Sequence, residues 1–138
     1  MTAKEYLRQV RHLDSNIASD MDEIAKLESL ATKATSVLCD MPSGSRDIHK
    51  HESLIVRIMD MKTALEEEIN EFLSVKERVK RSINEVPDVD ERTVLLLRYI
   101  SFMRWEQIAV EMDYSVRHVQ RLHGRALSVI SKNMKHGT

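Results

Sequence analysis

Chain breakers are scarce: the 138 residues include only three glycines and two prolines. Hairpin and turn-rich β architectures draw heavily on those residues, so their scarcity excludes a β-rich fold. Aromatic side chains are few as well (two Phe, one Trp, three Tyr), which leaves an aliphatic core. Cys39 is the single cysteine, so there is no intramolecular disulfide framework, and the usage suits a reducing cytoplasm. The longest uninterrupted aliphatic run is Val94 to Leu97, far short of the roughly 20 residues a membrane span needs. The opening Met-Thr-Ala-Lys-Glu has no apolar signal core. These absences predict a cytoplasmic protein that does not enter a membrane.

What is abundant is charge and helix-forming residues. Charged residues make up 31 % of the chain and apolar ones 42 %, with Leu, Ile, Met, Ala, Glu, Lys and Arg prominent. An all-α fold is the consequence. The 21 Lys+Arg and 22 Asp+Glu nearly cancel, to a net charge of −1, but they are unevenly placed. From Asp88 onward there are eight basic and six acidic residues, and beyond Asp113 no acidic residue at all. Arg117, Arg121, Arg125, Lys132 and Lys135 fill that last stretch. A basic end of this kind suits either nucleic acid or plain solvation.

Two breaker clusters cut the chain into three. The first runs from Cys39 to Asp47 around Pro42 and Gly44, with Ser45 or Asp47 available to cap the next helix. The second surrounds Pro87, which disfavours helix at Val86, and Asp88 with Glu91 resembles a capping box. Before the first break, Val10, Leu13, Ile17, Ile24, Leu27, Ala31, Ala34 and Leu38 form a heptad seam interrupted at Asp20. After it, Ile55, Ile58, Leu65, Ile69, Phe72, Val79, Ile83 and Val86 repeat the pattern, with Lys62 and Lys76 as interruptions. Residues 1–86 are therefore expected to form a long antiparallel helical hairpin of two helices, each about 50 Å long.

Two helices cannot cover both apolar stripes, because Met21, Met59, Met61, Leu73 and Val75 widen them. The hairpin needs another surface. A second copy, giving a homo-oligomer with a dimer favoured, is the leading expectation; another protein, or the C-terminal part folded back, are the others.

Residues 87–138 read as a compact helix-turn-helix domain of short helices around a small aromatic and aliphatic core. Arg92–Ile100 carries the buried run Val94 to Leu97, Trp105–Met112 is a second helix, and Ser115 caps a third reaching about Ser131. Ala109 is small enough for two helices to cross closely. Four residues on, Asp113 occupies the place where such a motif needs a left-handed residue, which Asp tolerates better than most. Val119 and Leu122 face back toward Ile108, leaving Arg117, His118, Gln120 and Arg121 outward at the start of the third helix. Those are the positions a recognition helix uses in the major groove. Arg pairs in bidentate fashion with guanine, and Gln with adenine.

The stretch Glu91-Arg92 to Arg98-Tyr99, then Trp105-Glu-Gln-Ile-Ala109, then Ser115 to Arg125-Ala126-Leu127, resembles region 4 of bacterial sigma factors. The whole layout is similar to short phage-encoded sigma-like transcription regulators of the RinA/ArpU kind. In detail the resemblance covers about residues 88–131; before Pro87 it extends only to length and helicity. It implies a sequence-specific regulator of transcription, phage or prophage encoded, acting on double-stranded DNA in a bacterial cytoplasm. Arg117, Gln120 and Arg121 would read bases, and Arg104, Ser115, His118, Arg125 and Lys132 would hold phosphates. Sigma factors usually carry an acidic residue where Arg117 stands and a basic one where Val116 stands. The exchange implies a shift from cytosine toward guanine, away from an ordinary −35 element. With no promoter-melting domain alongside, an activator or repressor is expected rather than a stand-alone sigma factor. Two alternatives stay open: an RNA polymerase-docking protein with little independent DNA affinity, and the DNA-recognition subunit of a phage packaging machine.

Other chemistry finds little support. His49 and His51 beside Cys39 lack a second cysteine, and histidines two apart do not share a helix face, so no metal is expected. His118 and His123 read as polar surface residues flanking the recognition helix. Glu66-Glu67-Glu68 is a helix-surface run rather than a converging acid pair, and neither a Gly-rich phosphate loop nor a Ser-His-Asp arrangement occurs. The expectation is no cofactor and no enzyme activity.

Overall fold

The computed structural model describes residues 1–40 and 45–136, and for 35–40 and 45–48 the backbone alone. Leu38, Cys39 and the expected caps Ser45 and Asp47 thus lie outside the described side chains. Among the described residues there are five α-helices and no strand: α1 (Ala3–Asp40), α2 (Ser45–Asn84), α3 (Val89–Leu95), α4 (Trp105–Met112) and α5 (Val116–His136). No described helix is long and apolar enough to cross a membrane. The fold is all-α, as the composition predicts.

Helix α1 starts on a reciprocal cap: Thr2 Oγ1 accepts from the Glu5 N–H, and Glu5 Oε2 accepts from the Thr2 N–H, both at 3.1 Å. The second break ends α2 at Asn84, and Asp88 caps α3. Its Oδ1 accepts the Asp90 N–H at 2.9 Å, while Glu91 turns inward and is buried.

The chain divides into two compact units, residues 14–71 and residues 1–13 with 72–138. This division does not coincide with the expected 86/87 boundary. Pro87 marks a turn, yet the last turns of α2 share a core with α3 and α5 beyond it.

In residues 14–71, α1 and α2 pair antiparallel, with Ile24, Ala31 and Ile58 buried between Leu27, Leu54, Met61 and Leu65. Lys62 Nζ lies 3.2 Å from Glu28 Oε1 across the pair. The seam interruption at Asp20 meets Glu68, whose carboxyl is raised above its ordinary pKa because the protonated form can donate a hydrogen bond to the Asp20 carboxylate. Ile55, expected in the seam, is instead 39 % exposed, and Leu54 packs in its place. Ile55 lies three residues before Ile58 and Leu54 four before it, and the helix turns the latter inward. Met21, Leu30, Val56 and Met59 are all more than half exposed, so this unit keeps the surplus apolar surface that the pattern implied.

The other unit is built around the paired ends of α1 and α2. Leu7, Val10, Val79, Ile83 and Val86 are fully buried together with Leu95, Tyr99, Ala126 and Ile130. Each such Leu, Ile or Val side chain contributes about 1.5–3 kcal/mol through burial. Tyr6 Oη and Ser82 Oγ hydrogen-bond at 3.0 Å across the two helices. Here the C-terminal helices fold back onto the apolar stripe and cover it.

The run Val94 to Leu97 is continuously apolar because α3 is covered on two sides. Val94 and Leu97 face the α4–α5 core, while Leu95 and Leu96 face the core shared with α1 and α2. The helix then loosens into a π-helical turn, Leu96–Ile100. The Ser101 N–H reaches the Leu96 carbonyl at 3.0 Å, and the Met103 N–H reaches Leu97 at 2.9 Å. Phe102 takes a left-handed φ of 57°, an unfavourable state for a bulky residue, and packs against the α1–α2 core. The aromatic residues are therefore divided between two cores, where a single small one was expected.

Candidate nucleic-acid interface

The helix-turn-helix forms from local signals. At the start of α4 the Arg104 N–H donates to Gln107 Oε1 at 3.0 Å. At its end Asp113 adopts φ 58°, ψ 43°, the left-handed state expected of it. That turn lets the Tyr114 N–H reach the Ala109 carbonyl at 3.0 Å. Ser115 Oγ accepts the His118 N–H at 3.1 Å and so caps α5, a contact worth about 1 kcal/mol. Ala109 is buried at the crossing, and Ile108, Val119, Leu122 and Val94 close the core around it.

Two polar clamps fix the motif to its surroundings. Tyr114 Oη donates to Asp90 Oδ2 at 2.7 Å, tying the turn to the first turn of α3, and that carboxylate holds the Tyr114 phenol above its ordinary pKa. Arg98 lies 4.4 Å above the Trp105 ring and donates through Nη1 to the Met103 carbonyl at 3.0 Å. Arg98 is thus a fastener of the loop before α4.

His123 corrects the expectation of a surface residue. It is only 8 % exposed, hydrogen-bonded to Tyr99 Oη at 2.6 Å and edge-on to Trp105 at 4.7 Å. Burial, with the charges of Lys4, Arg98 and Arg8, pushes its imidazole down to about 4, so it is neutral at pH 7. The signal was in the sequence: His123 stands four residues after Val119 and three before Ala126, on the apolar stripe of α5.

At 100° per residue, Arg117, Arg121, Arg125 and Lys132 fall within about 80° of the α5 circumference, opposite its buried stripe. All four are exposed, as is Gln120 on the flank. Among the described residues, no Lys or Arg of α5 has a carboxylate within ion-pair distance. Of the other expected phosphate contacts, Ser115 is exposed but engaged in capping, and Arg104 is exposed at the opposite end of the motif. His118 is half-buried, its ring edge-on to Tyr114 at 4.6 Å.

Gly124 borders this basic face, where an added Cβ would meet nothing within 4 Å. An exposed mid-helix glycine costs about 0.5–1 kcal/mol relative to alanine. Gly124→Ala should therefore stabilise the protein by that amount, measured as a rise in the urea midpoint at unchanged slope.

The chain is thus an all-α protein in which a helix-turn-helix with a basic outer face shares a core with a long helix pair. A family model described as protein of unknown function (DUF1492) matches residues 31–130, and the chain belongs to that family. No curated protein and no solved structure matches it.

Proposed function

We propose that this protein is a sequence-specific regulator of transcription that binds duplex DNA through α4 and α5, and that it is a phage or prophage protein similar to sigma factor region 4. The observation that carries this reading is the pairing of a left-handed Asp113 turn and a Ser115 cap with an outward row of uncompensated cations on α5. In this reading Arg117, Gln120 and Arg121, near the helix start, meet base edges. Arg125 and Lys132 further along, with Arg104 and, at the start of α5, Ser115 and His118, would hold phosphates.

The exposed Met21, Leu30, Val56 and Met59 favour self-association of residues 14–71. A dimer would present two recognition helices and require a two-fold-related operator.

The test is fluorescence anisotropy of the full chain on random-pool and phage late-promoter duplexes across a salt series. Tight binding that weakens steeply with salt supports the reading, since each phosphate contact adds about 0.9 to the log–log slope. Absence of binding at low salt overturns it. Retention on RNA polymerase core without DNA would then favour the docking alternative.

A further inference from the structure

A second group of cations lies outside the helix-turn-helix. Arg8 and Arg11 of α1 and Arg98 of the π-helical turn line a cleft of about 250 Å³, with Tyr99 as its remaining wall. Among the described residues none of the three arginines joins an ion pair. Glu5, the one acidic residue in the first 13, is engaged by the Thr2 N–H. Arg98 is held in place by Trp105 and the Met103 carbonyl, and the Arg11 guanidinium stands 6.0 Å from the Phe102 ring.

Fastening the loop accounts for Arg98, but not for Arg8 and Arg11 gathered beside it. Three guanidinium groups around one small cleft repel one another. Their positive field reaches inward as well, because Arg98 and Arg8 both help to keep the His123 imidazole unprotonated. Guanidinium groups present forked N–H donors that match the oxygens of a phosphate.

We infer that the cleft lined by Arg8, Arg11 and Arg98 is a phosphate-binding site, on the side of α5 that carries His123. Identifying its ligand as the backbone of a bound duplex rests on the proposed DNA binding. The affinity of the cleft for phosphate does not.

The test pairs two readouts on the full chain, wild type against Arg8→Gln/Arg11→Gln. Both side chains are exposed, so the variant should fold, with stability equal to or above wild type as their mutual repulsion is relieved, and Arg98 is left intact as a fastener. Trp105 is the sole tryptophan and lies under Arg98, so its fluorescence reports occupancy when inorganic phosphate is titrated. Anisotropy on duplex DNA across salt reports backbone contacts.

A saturable Trp105 response in wild type that the variant loses, with a log–log salt slope lower by about 2 and equal weakening on every sequence, is the expected result. The same lost response with an unchanged DNA slope supports the site and makes its ligand a free phosphorylated molecule. If wild type binds no DNA yet keeps the phosphate response, the proposed function fails and the site stands. A Trp105 signal and a salt slope that are both the same in wild type and variant overturn the inference.

Discussion

Arg117→Ala/Arg121→Ala should lower affinity for the preferred duplex by roughly 30- to 10⁴-fold, at about 1–3 kcal/mol for each lost bidentate base contact. Neither side chain has an ion-pair partner among the described residues, and both are exposed. Stability should therefore stay within about 0.5 kcal/mol of wild type, so that the loss reads as lost recognition. Anisotropy across a salt series, on a preferred duplex and on a random pool, separates the two kinds of contact. The double variant should bring the two affinities together, whereas Lys132→Ala should weaken both equally and lower the salt slope by about 1. Equal effects of the two variants on every sequence would refute the division into base-reading and phosphate-holding residues.

The helix-turn-helix was legible because its determinants are local. Ala109, Asp113, Ser115, Val119 and Leu122 lie within fourteen residues, and each acts on a neighbour one or two turns away. The helix pair was legible for a similar reason: a three–four alternation of apolar residues specifies a helix face whatever covers it. What covers it was not legible. Burial of Leu95 and Tyr99 against Val79 and Ile83 joins segments on either side of Pro87, and no local pattern marks that pairing.

The same blindness to distant partners hid the role of Arg98. Stacking on Trp105 and bonding to the Met103 carbonyl depend on a π-helical turn that no residue type announces. The Arg8–Arg11–Arg98 cleft was invisible for that reason too. Leu7, by contrast, continues the seam three residues before Val10 and could have been included in it.

Acidification should destabilise the protein well before its carboxylates titrate, because of His123. Its imidazole is held at about 4 in the folded chain against 6.5 for an unperturbed histidine. Between those values the unfolded chain binds a proton that the folded one refuses. Stability is thus intact above pH 6.5, falls with pH through the window, and is fully reduced below about 4. The separation of the two values corresponds to about 3 kcal/mol at most, of which about 2 kcal/mol is gone by pH 5. Urea unfolding at pH 7.5, 6 and 5 measures it. His123→Gln keeps a polar side chain that can bond to Tyr99 Oη but does not ionise, so its stability should change little over the same range. The difference between the two curves isolates His123 from every other titrating group. Parallel curves would mean that a protonated His123 is accommodated in the fold, and that the cations of Arg8, Arg98 and Lys4 do not oppose it.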